Sequence, residues 1–126
     1  IGLACVGKLG EALLGYQAFR NEKFQIKALF DVDPSKIGTH IQGTPCYSIE
    51  DAPRVLREEG IDVVIITVPT GAAQSVADRV VSAGTVKGIL NFSPVTLSVP
   101  DSVLLYSVDI SIELEKLLFY LKHRER

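Results

Sequence analysis

The hydrophobic pattern of the chain alternates between two periods. Short apolar runs, several of them rich in β-branched residues, predict six strands, over residues 1–6, 24–31, around 46–47, 61–68, 86–92 and 103–108. Stretches in which apolar side chains recur every three or four positions predict helices, over residues 9–19, from Ser48 or Asp51 to about 59, 72–81 and 110–122. Strand therefore alternates with helix along the whole chain.

The fourth apolar run, 61–68, is a nearly continuous run of β-branched residues. Continuous runs of Val and Ile are typical of strands buried on both faces of a parallel sheet, so we expect this strand at the centre. The alternating elements predict a single α/β domain with a doubly wound, mostly parallel sheet of the Rossmann type. The flavodoxin strand order is the alternative that the same pattern allows.

Composition narrows the class of protein. Of the 126 residues, 47% are hydrophobic and 22% charged, which excludes an intrinsically disordered chain. Thirteen Lys and Arg against fifteen Asp and Glu give a net charge of −2, so this chain by itself is a poor candidate for binding DNA. No apolar run approaches the roughly 20 residues of a membrane span, so we expect no membrane crossing.

Cysteine and methionine usage adds two expectations. The two Cys residues have neither disulfide-scaffold nor metal-ligand spacing, which predicts no metal site and a reducing, cytoplasmic setting. Met is absent and residue 1 already lies in an apolar run, so we expect the chain to be part of a longer protein.

The first strand is followed by glycines in a pattern that suits a dinucleotide. Gly7 and Gly10 fit the last two glycines of G-x-G-x-x-G, with Lys8 and Leu9 between them, but Cys5 stands at the first position. Glycine is needed there because the backbone turns tightly and approaches a pyrophosphate at the N-terminus of the next helix. Two alternatives remain: Gly7 is the first glycine of a shortened loop, or the glycines merely make a tight turn.

The second strand ends at an acidic residue. Asp31 follows Gly10 by 21 positions, the spacing at which a carboxylate accepts hydrogen bonds from an adenosine ribose. It would repel a 2′-phosphate, and no Arg follows immediately, so the sequence favours NAD(H) over NADP(H) as cofactor. The alternative is that Asp31 and Asp33 are ordinary turn residues before Pro34.

Two later strand ends carry candidate cofactor-binding residues. Thr67, Val68 and Pro69 follow the central strand and are expected to border the nucleotide. Asn91, Phe92 and Pro94 follow the next strand and are expected beside the nicotinamide half.

The sequence offers no obvious agent of catalysis. His40 is expected in a loop after the second strand and His123 in the last turn of the last helix, so we expect both to face solvent. There is no visible catalytic pair, metal-ligand spacing or activated nucleophile, so we expect that the chain is not an enzyme.

Four blocks of the sequence together resemble one known family. They are residues 31–38 (DVDPSKIG), 67–69 (TVP) with 72–74 (AAQ), 87–95 (KGILNFSPV) and 108–109 (VD). In this order and approximate spacing the chain resembles the C-terminal domain of the redox-sensing transcriptional repressor Rex family. The resemblance implies a Rossmann domain preceded by a winged-helix DNA-binding domain, a homodimer, and release of operator DNA when the NADH to NAD ratio rises.

The resemblance also assigns roles to individual residues. It implies the cofactor-side roles given above for the glycines, Asp31 and the two later strand ends. It further matches Tyr16 and Asp109 to an interacting tyrosine and aspartate that report cofactor state near the dimer interface. It implies that the last helix, about 110–122, packs against or exchanges with the partner subunit; the alternative is an ordinary helix that covers the sheet. The departures are Cys5 in the glycine loop, Ser93 and Thr85.

Two functional classes are therefore open at this point. The first is a cofactor-sensing module of a transcriptional repressor, acting on operator DNA through an N-terminal domain that this chain lacks. The second is a nucleotide- or CoA-binding Rossmann domain of an enzyme, of the dehydrogenase or acyl-CoA ligase type.

Overall fold

The computed structural model of the protein describes residues 1–16 and 24–124. Within them the chain forms one sheet of seven strands and four α-helices. The strands are β1 (Gly2–Ala4), β2 (Ala28–Asp31), β3 (His40–Ile41), β4 (Thr44–Ser48), β5 (Val63–Ile66), β6 (Gly88–Asn91) and β7 (Leu104–Ser107). The helices are α1 (Lys8–Leu14), α2 (Ala52–Glu58), α3 (Ala73–Val81) and α4 (Ile110–His123). Single 3₁₀ turns, Ile49–Asp51 and Thr70–Ala72, lead into α2 and α3.

The order of the strands defines the fold. It is β3-β4-β2-β1-β5-β6-β7, and every pair is parallel except β3 with β4. Numbered along the chain, the six parallel strands run 3-2-1-4-5-6, which is the Rossmann order and not the flavodoxin order. The predicted fold class is confirmed. The order reverses between β1 and β5, where a ligand crevice is expected outside the carboxyl ends of the strands.

Apolar side chains are buried on both faces of the sheet. Val64 and Ile66 of β5 pack in the cluster that contains the buried positions of α2 and α3. Ile65 points to the opposite face, where it packs with Leu3 of β1 and Leu14 of α1. The nearly continuous apolar pattern of 61–68 follows from this two-sided burial, and the predicted central position of the strand is confirmed.

The hairpin of β3 and β4 corrects one prediction. The prediction of a loop at His40 is wrong, because His40 and Ile41 pair with Pro45 and Thr44. The two connecting residues, Gln42 and Gly43, both have positive φ, as a two-residue hairpin turn requires. His40 itself is exposed.

The first strand and first helix are shorter than predicted. β1 ends at Ala4, and Cys5 and Val6 already belong to the connection towards α1. The helix predicted over 9–19 runs from Lys8 to Leu14 and is followed by Gly15; residues 17–19 lie outside the described part of the chain.

The last helix, α4, stands apart from the rest of the structure. None of its residues is buried. Its eight large apolar side chains are each 48–65% exposed: Ile110, Ile112, Leu114, Leu117, Leu118, Phe119, Tyr120 and Leu121. The alternative that this helix covers the sheet of its own chain is therefore wrong. No helix in the described ranges is long and apolar enough to span a membrane.

Candidate dinucleotide site

A pocket lies where the carboxyl ends of β1, β2 and β5 meet. It is lined mostly by apolar side chains: Ala4, Cys5, Phe30, Asp31, Val32, Ile49, Val68, Pro69, Ala72 and Val76. An apolar lining of this kind suits the face of a flat ring. The sequence predicts Asp31, Val68 and Pro69 of this lining as cofactor-binding residues, but it does not predict the apolar walls at Phe30, Ile49 and Val76, which come from segments far apart in the chain.

The glycine loop closes one side of the crevice. A Cβ on Gly10 would lie 2.5 Å from the carbonyl oxygen of Cys5, so only glycine allows α1 to approach β1 this closely. A Cβ on Gly7 would meet nothing within 4 Å, and Gly7 is the N-cap of α1. Gly10 thus has the packing role of the last glycine in the fingerprint, and Gly7 leaves open space where a phosphate would approach.

The backbone conformation at Cys5 does not require glycine. Among the described residues the positive φ angles of non-glycine residues are confined to Gln42, so the backbone at Cys5 suits an ordinary side chain. α1 starts at Lys8, directly after Gly7, and Lys8 and Leu9 form its first turn with exposed side chains. The N–H groups of a first helical turn have no partners inside the helix and can bind an anion.

Asp31 is the best-connected polar side chain of the site. It is 4% exposed, and its Oδ2 accepts a hydrogen bond from the N–H of Val6 at 3.0 Å. Its Oδ1 accepts from the N–H groups of Val32 and Asp33, at 2.7 and 3.1 Å. The Nζ atom of Lys36 lies 3.9 Å from Oδ2. Asp31 therefore joins the end of β2 to the loop after β1, which the turn interpretation of this residue did not include.

The thiol of Cys5 lies beside this carboxylate. Partial burial, together with the charge and hydrogen-bonding of Asp31, raises the pKa of Cys5 to about 11. Burial and the same carboxylate also raise the pKa of Cys46. Both thiols are therefore protonated near neutral pH and are poor nucleophiles.

The residues after β5 hold the crevice together at its centre. The N–H of Thr67 donates to the carbonyl of Ala4 at 2.7 Å, and its hydroxyl donates to the carbonyl of Cys5 at 2.7 Å. The carbonyl of Val68 accepts from the hydroxyl of Ser93 at 2.6 Å. Pro69 is exposed at the pocket rim. Thr67 thus fixes the glycine loop from the β5 side, as Asp31 does from the β2 side.

The residues after β6 form a hydrogen-bonded loop. Asn91 is fully buried; its Oδ1 accepts from the N–H of Ser93 at 2.9 Å and its Nδ2 donates to the carbonyl of Val95 at 3.0 Å. Phe92 is half-buried and Pro94 is exposed. The side chain of Asn91 therefore acts through the loop it holds, and Phe92 and Pro94 are the members of this group open to a ligand.

Asp109 and Tyr16, the predicted switch pair, lie at the ends of other elements. Asp109 is the N-cap of α4: its Oδ1 accepts from the N–H groups of Ser111 and Ile112, and from the hydroxyl of Ser111 at 2.6 Å. The Ser111 hydroxyl, followed by the two N–H groups, lowers the pKa of Asp109. Tyr16 is 62% exposed just past α1. The structure thus shows Asp109 as a helix cap, and its role in signalling stays a prediction.

Neither histidine belongs to the pocket lining. His123 is half-buried in α4, with its ring 4.3 Å from the ring of Phe119, so the prediction that it faces solvent holds only in part. Within residues 1–16 and 24–124, no three or more His, Cys, Asp and Glu side chains are grouped so that they could hold a metal ion.

Comparison with known proteins places the chain in a family of nucleotide-binding domains. The sequence profile of the CoA binding domain family matches residues 1–95, and the chain belongs to this family. It is also similar to the redox-sensing transcriptional repressor Rex of Listeria monocytogenes, with 44% identity over 123 residues, which is 98% of this chain and 57% of that protein. The Rex protein of Bacillus subtilis is 43% identical over 118 residues, 94% of this chain and 54% of that protein. The resemblance to the Rex family is therefore confirmed, and the chain spans a little over half the length of these relatives.

Solved structures agree with the sequence relatives. The structure of RSP, a Rex-family repressor, superposes with a TM-score of 0.89 at 34% identity, covering 98% of this chain and 59% of RSP. RSP has also been solved with β-NADH, and with β-NAD⁺ and operator DNA, each with a TM-score of 0.88 to this chain.

Proposed function

We propose that the chain is the NAD(H)-sensing domain of a redox-responsive transcriptional repressor. The observation that carries the proposal is the geometry of the glycine loop: Gly10 packs against the Cys5 carbonyl, Gly7 is open, and Asp31 holds the loop from β2. The chain with this geometry is itself 44% identical to a redox-sensing repressor. It is also 34% identical to RSP, which was solved with β-NADH.

The residues present fit a dinucleotide. Gly7, Lys8, Leu9 and Gly10 would hold the pyrophosphate, because the first turn of α1 presents N–H groups and Gly7 leaves space beside them. Asp31 would bind the adenosine ribose, and the apolar pocket would hold the adenine.

The other half of the cofactor would lie along the next strand ends. Thr67, Val68 and Pro69 would border the nucleotide, with Asn91, Phe92 and Pro94 beside the nicotinamide.

The site favours sensing of the cofactor over its turnover. When bound, the nicotinamide would supply the redox state that the protein reads. The side-chain hydroxyls and amide described at the ends of β5 and β6, those of Thr67, Ser93 and Asn91, are each hydrogen-bonded to protein groups. None of them is a proton donor or acceptor poised for an acid–base step, and the named relatives are repressors. We therefore propose that the chain is not an enzyme.

The repressor would work as a homodimer in which α4 contacts a second copy. The eight exposed apolar side chains of α4 form a surface that a monomer leaves in water. Symmetric dimers are the commonest oligomers, and burial of this helix by a second copy would remove that surface from water. The strand that precedes α4, β7, also exposes Leu104 and Tyr106.

Tyr16 and Asp109 would convert the cofactor state into a change of the dimer. A cofactor shifts a conformational equilibrium only through different affinities for the two states, so discrimination must arise at the nicotinamide, where NADH and NAD⁺ differ. In the full-length protein, Tyr16→Phe or Asp109→Ala should leave NADH binding largely intact but shift the NADH concentration that releases DNA. A release curve identical to that of the unmutated protein, at matched salt and NAD⁺, would remove both residues from the switch.

Binding to operator DNA would be the task of another part of the protein. The net charge of −2 does not suit a DNA-binding surface, whereas RSP, of which this chain covers 59%, was solved with operator DNA. We propose that an N-terminal winged helix of the full-length protein supplies that contact, and that the protein acts in the cytoplasm, where its DNA is.

Nucleotide titration tests the proposal. Isothermal titration calorimetry with NADH, NAD⁺, NADPH and CoA should give measurable binding of NADH, with NADPH weaker because Asp31 repels its 2′-phosphate. Equal affinity for NADH and NADPH would remove the assignment of Asp31. Incubation with NADH and a panel of 2-keto acids and aldehydes should give no protein-dependent oxidation of NADH; steady turnover would instead support a dehydrogenase.

The family match gives the second candidate function. The family profile that matches residues 1–95 is described as a CoA binding domain, and the apolar pocket would accept the adenine of CoA as well as that of NADH. Binding of CoA without binding of NADH in the same titration would favour this candidate and overturn the redox-sensing proposal.

A further inference from the structure

Lys36 contacts the glycine loop from the turn after the second strand. Its Nζ atom donates a hydrogen bond to the carbonyl of Val6 and lies 3.9 Å from Oδ2 of Asp31. The side chain is 29% exposed, so the contact is partly shielded from water. Val6 itself is fully buried.

The turn after β2 holds Lys36 in this position. Oδ1 of Asp33 accepts from the N–H and the hydroxyl of Ser35, at 2.9 and 2.8 Å, and these bonds lower the pKa of Asp33. The N–H of Lys36 donates to the carbonyl of Asp33 at 2.9 Å. The hydroxyl of Thr39 donates to the carbonyl of Lys36 at 2.6 Å. These bonds fix the backbone of Lys36, and its side chain lies beside Asp31.

Val6 is thereby held by both of its backbone polar groups. Its N–H donates to Asp31 at 3.0 Å and its carbonyl accepts from Lys36. The next residue, Gly7, is the N-cap of α1 and has the open space described above.

We propose that Lys36 is a positioning residue for the cofactor: paired with Asp31, it orients the Val6 peptide and so fixes where Gly7 and the first turn of α1 meet a pyrophosphate. This inference rests on the proposed function, since it concerns the same site. Lys36 acts through the loop and does not itself contact the cofactor. Ligands that contain a pyrophosphate should therefore depend on Lys36, and adenosine should not.

The test uses three variants and three ligands. Lys36→Met removes the charge at similar length, Lys36→Arg retains it, and Lys87→Met is the control, because Lys87 is exposed before the amino end of β6. Calorimetry or ligand-observed NMR gives the affinities of NADH, ADP-ribose and adenosine at low salt and at about 0.5 M salt, where long-range charge effects are screened. Amide exchange of Val6 and Gly7 without nucleotide reports the loop directly.

Lys36→Met should weaken NADH and ADP-ribose by roughly tenfold, as for loss of one charge-assisted hydrogen bond at a partly exposed site, and adenosine by less than about twofold. The loss should persist at high salt, the Val6 and Gly7 amides should exchange faster, and Lys36→Arg should restore most of the affinity. Lys87→Met should behave as the unmutated protein. If Lys36→Met folds poorly, Lys36→Gln replaces it.

Three results would overturn the role of Lys36: unchanged NADH affinity in Lys36→Met, an equal loss for adenosine, or a loss that disappears at high salt. Failure of the proposed function looks different, because the unmutated protein would then bind neither NADH nor ADP-ribose.

Discussion

Polar side chains at the carboxyl edge of the sheet are hydrogen-bonded within the chain, whereas the large apolar side chains of the last helix are exposed. At the edge, Asp31 is buried and ties the glycine loop to β2 by hydrogen bonds within the chain. In α4, the 14 residues include no buried side chain although most are apolar. The first region is complete by itself, whereas the second leaves its apolar surface in water. The groups at this edge are held within one chain, whereas burial of α4 would require another surface.

The largest effect is expected when charge is placed on the exposed apolar surface of α4. Leu114→Glu combined with Leu118→Glu should weaken the proposed dimer by at least about 100-fold, roughly 3 kcal/mol, because two unpaired carboxylates would be buried in the interface. Sedimentation velocity over a range of concentrations measures this change.

The matched control for this test is Leu56→Ala at a fully buried position in α2. It should lower the free energy of unfolding by about 2–5 kcal/mol and leave the dimerisation surface intact. An unchanged oligomeric state in the α4 variant would contradict the role of this helix.

Substitutions of Gly7 and Gly10 separate packing from cofactor binding in the glycine loop. Gly10→Ala places a Cβ against the Cys5 carbonyl and should lower the free energy of unfolding by about 1–3 kcal/mol. Gly7→Ala meets open space, so its stability should change by less than about 0.5 kcal/mol, while NADH affinity should fall roughly tenfold. Urea denaturation and NADH titration separate the two effects. Equal stability of both variants would contradict the close approach of α1 to β1.

Asp31 carries the next prediction. Asp31→Ala should weaken NADH binding by about 1–3 kcal/mol, because a charged hydrogen-bond acceptor is lost. NADPH binding should fall less than NADH binding, since the repulsion of the 2′-phosphate is lost at the same time. Fluorescence titration of both nucleotides checks the change; a uniform loss for the two nucleotides would reduce Asp31 to a residue that only holds the loop.

The smallest effect concerns the start of α4. Because hydrogen bonds from Ser111 and Ile112 lower the pKa of Asp109 below its ordinary value of 3.8, the ionised cap stabilises the helix above that pH. The stabilisation is lost as the pH falls through the lowered pKa. Protection of the Ser111 and Ile112 amides, measured as exchange relative to the intrinsic rate at each pH, should therefore fall below about pH 4, and Asp109→Asn should remove this pH dependence while keeping a cap. The same acid response in Asp109→Asn would assign it to another group.

The local sequence pattern predicts the alternating α/β architecture and a candidate cofactor site at the ends of the strands. The two-sided apolar run at 61–68, the glycines at 7 and 10, and Asp31 at a strand end are local signals. Each reports the requirements of its own backbone and burial, so together they predict a doubly wound sheet and candidate site residues. The strand pairing then distinguishes the Rossmann order from the flavodoxin order. The Rex resemblance is likewise a property of short sequence blocks, since residues 31–38 and 87–95 carry most of it.

The groups that meet at that edge are brought together by the tertiary fold. The bonds of Val6 with Asp31 and Lys36 join residues 25 and 30 positions apart, and that of Thr67 with Cys5 spans 62 positions. No local period encodes such pairs. The same holds for α4: apolar spacing predicts that a helix has a face to bury, but only the packing of the whole chain shows that its own sheet does not cover it.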